Sequence, residues 1–139
     1  MKTAIDTNIV SALWGGEPSA AQIPGLLDGA RAMGALVISP VVYVELRAYP
    51  TATEAIVDRF LEANRIEIDW LIEREIWELA AERFERYANR RRRQGGGEAK
   101  RLTSDFLIAA HAIVRADRLI TLDQRRYRAD FPELTLVEP

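Results

Sequence analysis

Four acidic residues each lie beside a short apolar run, and this arrangement indicates a shared site. Asp6 follows residues 3–5, Glu45 follows 41–44, Asp105 precedes 106–110, and Asp123 follows 119–122. In an open α/β sheet, the carboxyl ends of parallel strands and the adjoining helix starts share one edge, where such folds place their sites. Four carboxylates gathered there would repel one another unless a cation neutralised them. The pattern therefore predicts a divalent metal site.

The elements that must position these acids alternate between strands and helices. Apolar runs predict strands at residues 1–5, 35–38, 65–68, 119–122 and 134–137. Apolar residues at helical spacing predict helices at 8–14, 19–33, 53–63, 73–89 and 104–116. Ser39 and Pro40 predict a further helix start, because serine caps and proline fits the first helical position. The alternation predicts an α/β fold, a three-layer α/β/α sandwich with a mostly parallel central sheet.

Length and composition narrow the class of protein. A chain of 139 residues fits a single domain, residues 1–139. Hydrophobic residues make up 48% and charged residues 29%, a composition typical of globular proteins, and no stretch is long enough to span a bilayer. Asp6 and Asn8 interrupt any apolar core of a secretory signal. With no cysteine, disulfides and thiolate metal sites are excluded, and we expect a cytoplasmic protein without a membrane partner.

The net charge of −2 conceals one strongly basic segment. Residues 86–101 contain seven basic residues and one acidic residue, a local charge of +6, so the rest of the chain carries −8. This asymmetry suggests that phosphate groups meet the protein at one place. The candidate RNA-binding residues are Arg90, Arg91, Arg92, Arg93, Lys100 and Arg101. Alternatively, the four consecutive arginines form a solvated helix end, where cations complement the helix dipole. The segment 94–97 predicts a flexible loop beside them.

Taken together, several short motifs resemble those of the PIN-domain ribonucleases, and particularly the VapC-type toxins of toxin-antitoxin pairs. The motifs are Asp6-Thr7-Asn8 at the start, Glu45 after a hydrophobic segment, Ser104-Asp105-Phe106-Leu107-Ile108-Ala109-Ala110 late in the chain, and Thr121-Leu122-Asp123 near its end. The resemblance covers nearly the whole chain, and its strength lies in the order of the four motifs in a chain of this length.

The resemblance implies an endoribonuclease that depends on Mg²⁺ or Mn²⁺ and is inhibited by a cognate antitoxin. It assigns Asp6, Glu45, Asp105 and Asp123 to the catalytic pocket, with Asp6 and Asp105 as the principal metal ligands. Hard cations of this kind take oxygen ligands and keep several waters, so a few carboxylates and a substrate phosphate suffice. A homodimer is also implied. Asn8 and Thr121 are proposed to orient the neighbouring carboxylates by hydrogen bonds, without binding the metal themselves. Asn8 is equally suited to capping a short helix.

Structural explanations exist for each acid taken singly. Asp105 in a first helical turn complements the helix dipole, and Asp123 is suited to starting a turn. Glu45 in a largely apolar segment needs a partner, which Arg47 or Arg59 is placed to provide. The joint pattern of the four acids favours the site.

Two other functions are compatible with parts of the sequence. An aspartyl-phosphate phosphatase would use the strand followed by Asp6-Thr7-Asn8, but that class requires an aspartate where Asn8 stands and a lysine for which Lys100 is the candidate. A noncatalytic RNA-binding or partner-binding module with the same fold is the other alternative. The single histidine, His111, is expected to have a helix-packing or hydrogen-bonded role, and the tryptophans Trp14, Trp70 and Trp77 are expected to pack in the core.

Overall fold

The strands form one parallel sheet in a computed structural model that describes residues 1–96 and 103–139. The strands of these residues are β1 (Thr3–Ile5), β2 (Leu36–Ile38), β3 (Ile66–Ile68), β4 (Arg118–Ile120) and β5 (Leu136–Val137). Their order across the sheet is β3-β2-β1-β4-β5, with every neighbouring pair parallel. Helices flank this sheet, which confirms the predicted α/β/α sandwich.

Seven α-helices connect and cover the strands within the described residues. They are α1 (Thr7–Gly15), α2 (Ile23–Met33), α3 (Pro40–Arg47), α4 (Glu54–Ala63), α5 (Arg74–Arg93), α6 (Thr103–Arg115) and α7 (Gln124–Arg128). Ser39 caps α3 as predicted, because its hydroxyl accepts a hydrogen bond from the Val42 N–H, and Thr53 caps α4 in the same way through the Ile56 N–H. These caps fix where α3 and α4 begin, and α3 carries Glu45.

The core lies along the centre of the sheet and beneath α6. All residues of β1 and β2 are buried, as expected for strands covered on both faces. Helix α6 is buried from Asp105 to Ala112 and packs along α5. Phe106, directly after Asp105, is fully buried and its ring contacts Phe84 and Phe131. Burying a side chain of this size contributes about 1.5 to 3 kcal/mol, so the start of α6 is firmly anchored.

Gly34 lets the chain pass closely under the amino-terminal segment. Its φ of 153° is rarely adopted by other residues, and a Cβ built there would lie 1.7 Å from the Met1 carbonyl oxygen. The glycine therefore permits the close approach between the end of α2 and the residue that leads into β1. Because Asp6 directly follows β1, this contact helps to place the first acid of the candidate site.

Three details of the sequence prediction are corrected by the structure. The helix expected over 19–33 is divided into a 3₁₀ turn at Pro18–Ala21 and α2, which begins beside Pro24, a residue without the N–H that a continuous helix would need. Helix α5 continues through all four arginines to Arg93 instead of ending at Asn89. The short helix α7 was not predicted, because five residues give too little periodicity to detect.

The tryptophans differ from the packing role predicted for them. Trp14 is half-buried and makes edge contacts with Tyr49 and Phe60, as expected. Trp77 and Trp70 are 52% and 62% exposed, so the prediction was wrong for both as core residues. No helix in the described residues has both the length and the apolar character needed to cross a membrane.

Candidate active site

Asp6 lies at the carboxyl end of β1, in the centre of the sheet, and is the most deeply buried of the four acids. It is 3% exposed and stands at the start of α1 without capping it. Its Oδ2 accepts a hydrogen bond of 2.7 Å from the Tyr127 hydroxyl and one of 2.9 Å from Thr121 Oγ1. Both donors are neutral, and Asp6 forms no salt bridge with any described residue.

Thr121 is the link between Asp6 and the polar groups around it. While its hydroxyl donates to Asp6, it accepts hydrogen bonds of 3.2 Å from Asn8 Nδ2 and 3.1 Å from the Asp123 N–H. Asn8 Oδ1 in turn accepts from the Leu122 N–H at 3.2 Å. Asn8 thus orients Asp6 through Thr121 without touching it. The alternative interpretation of Asn8 as a helix cap is wrong, since the cap position of α1 is Asp6.

Burial and the charge of a neighbouring carboxylate both affect the pKa of Asp6. Burial raises the pKa of Asp6 above its ordinary value of 3.8, the hydrogen bonds from Tyr127 and Thr121 lower it in part, and the negative charge of Asp105 raises it further. Burial also raises the pKa of the Tyr127 phenol, and the adjacent Asp6 charge adds to this effect. Tyr127 therefore stays protonated at any physiological pH and remains a hydrogen-bond donor to Asp6.

Glu45 is held by hydroxyl groups that lie directly beside two of the other acids. Thr7, next to Asp6, donates from Oγ1 to Glu45 Oε1 at 2.6 Å, and Ser104, next to Asp105, donates to Oε2 at a longer 3.4 Å. The suggested arginine partners are wrong. Arg47 instead contacts Tyr43 and Glu54. The half-buried Glu45 is thereby joined to the amino-terminal ends of both α1 and α6.

Asp105 and Asp123 are connected by one arginine that the sequence analysis did not include. Arg126 Nη1 lies 3.3 Å from Asp105 Oδ1, and Arg126 Nε lies 3.4 Å from Asp123 Oδ2. Asp105 is 8% exposed and lies in the first turn of the largely buried helix α6. Asp123 also caps α7, because its Oδ1 accepts a hydrogen bond of 3.1 Å from the Arg126 N–H. The turn-starting role predicted as a structural alternative is therefore confirmed for Asp123, and its place in the catalytic pocket stays a prediction.

The donor set fits a hard divalent cation that keeps most of its waters. In residues 1–96 and 103–139, no three His, Asp or Glu side chains converge closely enough to hold one ion together. Mg²⁺ commonly needs only one or two carboxylates beside waters and substrate phosphates. Asp6 is a buried carboxylate without an ion-pair partner among the described residues and with a second carboxylate, Asp105, close enough to affect its pKa. A bound cation would supply Asp6 with the ion-pair partner that it lacks among the described residues.

The predicted RNA-binding arginines divide into two groups. Arg90 forms a 2.8 Å salt bridge with the buried Asp130 and lies over the Tyr87 ring, so it fastens α5 to the segment after α7. Arg92 donates to Asn89 and Arg91 to the Gly96 carbonyl, and both remain within reach of solvent at the end of α5. The flexible-loop prediction for 94–97 overlaps the undescribed part of the chain, and Lys100 and Arg101 lie outside the described residues.

Thr7, Ser104, Arg126 and Tyr127 complete the site and were not found from sequence. Thr7 and Ser104 had a local signal, since each is a hydroxyl residue adjacent to a candidate acid. Arg126 and Tyr127 lie three and four residues after Asp123, the spacing of a helical turn begun by a capping aspartate. Their contacts with Asp105 and Asp6, however, cross the fold and have no sequence signature.

The fold is similar to that of several solved toxin-antitoxin proteins. VapBC2 from Rickettsia felis, bound to a promoter DNA fragment, matches with 23% identity and a TM-score of 0.71 over 100% of this chain and 99% of that chain. VapBC-1 from nontypeable Haemophilus influenzae matches with 22% identity and a TM-score of 0.64 over 99% and 98%. A toxin-antitoxin complex from Klebsiella pneumoniae matches with 22% identity and a TM-score of 0.62 over 97% and 95%.

At these identities the structural matches establish the fold, and the family is established by sequence. No curated protein matches the chain. The sequence pattern of the PIN domain matches residues 3–132, a span that begins at β1 and includes all four acids of the site. The chain therefore belongs to the PIN domain family.

Proposed function

We propose that the protein is a metal-dependent endoribonuclease that hydrolyses phosphodiester bonds of RNA and serves as the toxin of a type II toxin-antitoxin pair. The observation that carries this proposal is the environment of Asp6. A buried carboxylate at the carboxyl end of a central strand, with two hydroxyl donors, a neighbouring carboxylate and no salt bridge in the described chain, is suited to a metal ion. Membership of the PIN family supports the nuclease assignment.

Asp6 and Asp105 would hold the ion, Mg²⁺ or Mn²⁺. Such an ion, when bound, generates a nucleophilic water and neutralises charge that develops on the phosphate. The chain's own contribution is orientation. Thr121 and Tyr127 fix the Asp6 carboxylate, and the core packing of the adjacent Phe106 fixes the backbone of Asp105.

Glu45 and Asp123 complete the acidic pocket around these ligands. The hydroxyls of Thr7 and Ser104 hold Glu45 between the starts of α1 and α6. Asp123 is 43% exposed in its side chain and faces the solvent side of the site. We assign both acids to the pocket as contacts for metal-bound water, with no choice made between them as general base.

RNA would approach over the carboxyl-terminal end of α5. Arg91, Arg92 and Arg93 lie in the last turn of that helix, where solvent-accessible guanidinium groups are suited to bind phosphates. Arg90 is engaged with Asp130 and is assigned a structural role. Lys100 and Arg101, outside the described residues, stay in the proposal on sequence grounds alone.

The proposed partners are an antitoxin and a second copy of the chain. Each of the compared structures is named as a toxin-antitoxin complex or a VapBC pair, which supports an antitoxin partner for this protein.

The proposed dimer interface includes exposed apolar side chains of α3 and of the segment before α5. Tyr43 packs edge-on against Trp70, and the side chains of the next residues in the chain, Val44 and Leu71, are 66% and 70% exposed. Exposed apolar side chains grouped in this way are suited to a protein interface. Size measurement by light scattering, with Val44→Asp as the variant, tests the proposed dimer.

Cleavage of a mixed RNA pool tests the enzymatic proposal. The purified protein is expected to cut RNA with Mn²⁺ and to be inactive in excess EDTA. Asp105→Asn should abolish cleavage, whereas Asp58→Asn, which removes an exposed acid from α4, should cleave like the wild type. Cleavage that persists in EDTA or in Asp105→Asn would contradict the metal site. RNA binding without cleavage under every condition would instead favour the noncatalytic module.

Growth of the expressing cell tests the toxin assignment separately. Expression of the wild-type chain should arrest growth, and expression of Asp105→Asn should not. Co-expression with the product of an adjacent small reading frame should restore growth and give a complex that copurifies. Harmless expression of the active nuclease at high level would contradict the toxin role while leaving the enzymatic proposal intact.

A further inference from the structure

Arg126 lies between two acids of the candidate site, one of which, Asp105, is a proposed metal ligand. Its guanidinium reaches Asp105 through Nη1 at 3.3 Å and Asp123 through Nε at 3.4 Å. These two carboxylates come from different elements, α6 and the start of α7, and within the described residues Arg126 joins them. Without a cation between them, the two negative groups would repel each other.

The contact of the Arg126 guanidinium with Asp105 and Asp123 is suited to displacement by another cation. The Arg126 side chain is 41% exposed, and both of its ion-pair distances are longer than those of a close charge-assisted hydrogen bond. Although the Asp105 side chain is only 12% exposed, the long distances and the exposed guanidinium make these weak ion pairs, which contribute less stability than a metal bound directly to carboxylates. The Arg126 backbone, by contrast, is fixed, because its N–H donates to Asp123 and the next residue, Tyr127, is buried against Asp6. The side chain can therefore leave the acids while α7 stays in place.

We propose that Arg126 is an internal competitor of the metal ion, a counter-charge that holds the acids together in the metal-free protein and must be displaced when the ion binds. This inference rests on the proposed function, because it presupposes that Asp6 and Asp105 bind a divalent cation. Arg126 thereby sets the affinity of the site for metal. When the ion binds, the Arg126 guanidinium would move away from the acids, and the positive charge of the ion would replace that of the arginine.

Mn²⁺ titration by calorimetry of protein stripped with chelator and then dialysed tests the proposal. Arg126→Ala should bind Mn²⁺ roughly tenfold more tightly than the wild type, the effect expected from removing two weak ion pairs from the metal-free state. Arg126→Lys should show an intermediate affinity, since lysine keeps the positive charge but not the planar fork that reaches two carboxylates. Arg125→Ala is the matched control, because Arg125 is an exposed arginine of the same helix that has no ion pair within the described residues.

Thermal unfolding provides a second measurement that does not depend on activity. Without metal, Arg126→Ala should melt at a lower temperature than Arg125→Ala, and Mn²⁺ should raise its melting temperature by more than it raises that of the control. Equal Mn²⁺ affinity in the wild type, Arg126→Ala and Arg125→Ala would overturn the inference and leave the proposed metal site standing. Absence of Mn²⁺ binding in all of these proteins would overturn the proposed metal site and the inference with it.

Discussion

The Tyr127 hydroxyl donates a 2.7 Å hydrogen bond to Oδ2 of Asp6, which joins residues 121 positions apart in the chain. Tyr127 is fully buried, and its phenol stays protonated beside the carboxylate because burial raises the pKa of the phenol. The next residue back, Arg126, reaches Asp105. Two consecutive residues of α7 therefore contact the two proposed metal ligands, so this short helix controls the geometry of the site.

Removal of the phenol hydroxyl should weaken both the fold and the site. Tyr127→Phe is expected to lower the free energy of unfolding by about 1.5 kcal/mol, the contribution of a hydrogen bond to a charged acceptor. It should also weaken Mn²⁺ binding, since Asp6 loses one of the two groups that orient it. Urea unfolding and calorimetry measure the two effects. Tyr49→Phe is the control, as the Tyr49 hydroxyl makes no hydrogen bond within the described residues. Identical unfolding in both variants would refute the assigned role.

Neutralising Asp6 should abolish cleavage and stabilise the metal-free protein. Burial raises the pKa of Asp6 above 3.8, so the charged carboxylate at pH 7 costs folding free energy. Asp6→Asn keeps an acceptor for Thr121 and Tyr127 while removing that charge. We expect its free energy of unfolding in EDTA to exceed that of the wild type by about 1 kcal/mol. Asp58→Asn, at an exposed position on α4, should change neither quantity. A less stable Asp6→Asn would contradict this account.

The single histidine should make stability depend on pH in the mildly acidic range. His111 is 1% exposed and its Nε2 lies 3.0 Å from Asp69 Oδ2. Burial lowers the pKa of His111 below 6.5, an effect that the Asp69 contact offsets only in part. The unfolded chain therefore takes up a proton near pH 6.5 that the folded protein resists, and stability falls as pH decreases from that value. His111→Gln should lack this decrease between pH 7.5 and 5.5.

Asp69 adds a second decrease in stability at lower pH. The hydrogen bond from Arg115 lowers the pKa of Asp69 below 3.8, with a smaller contribution from His111. The stability from this carboxylate is present above pH 3.8 and disappears as pH falls through its lowered pKa. Urea midpoints measured from pH 7.5 to 3 should show both steps in the wild type and only the lower one in His111→Gln. A single step shared by the two proteins would contradict the assignment to His111.

Two arginines at the end of α5 should govern how RNA binding responds to salt. Arg92→Ala with Arg93→Ala removes two exposed charges while leaving the Arg90–Asp130 salt bridge in place. For each arginine that contacts an RNA phosphate, its removal should reduce the magnitude of the slope of log K against log salt by about 0.7 for single-stranded RNA. The control removes two exposed arginines elsewhere, Arg59 and Arg74. Equal slopes in the two double variants would contradict RNA binding by Arg92 and Arg93 and would favour the alternative that they form a solvated helix end.

Local patterns along the chain were enough to establish the order of the strands and of every α-helix except α7, and the location of the acids. Buried strands such as Leu36–Ile38 are continuous apolar runs, and Ser39 and Thr53 are capping residues at the positions where helices begin. Asp6 at a strand end and Asp105 at a helix start follow from these patterns, because the edge that they share is fixed by parallel strand topology.

Which groups hold each acid, by contrast, depends on the folded chain. The donors to Asp6 come from Thr121 and Tyr127, the donors to Glu45 from Thr7 and Ser104, and the bridge between Asp105 and Asp123 from Arg126. Such contacts join side chains that the fold brings together across the sheet edge, and no spacing rule along the chain encodes them. Arg90 illustrates the same limit, because its ion pair with Asp130, 40 residues away, has no signal in the sequence.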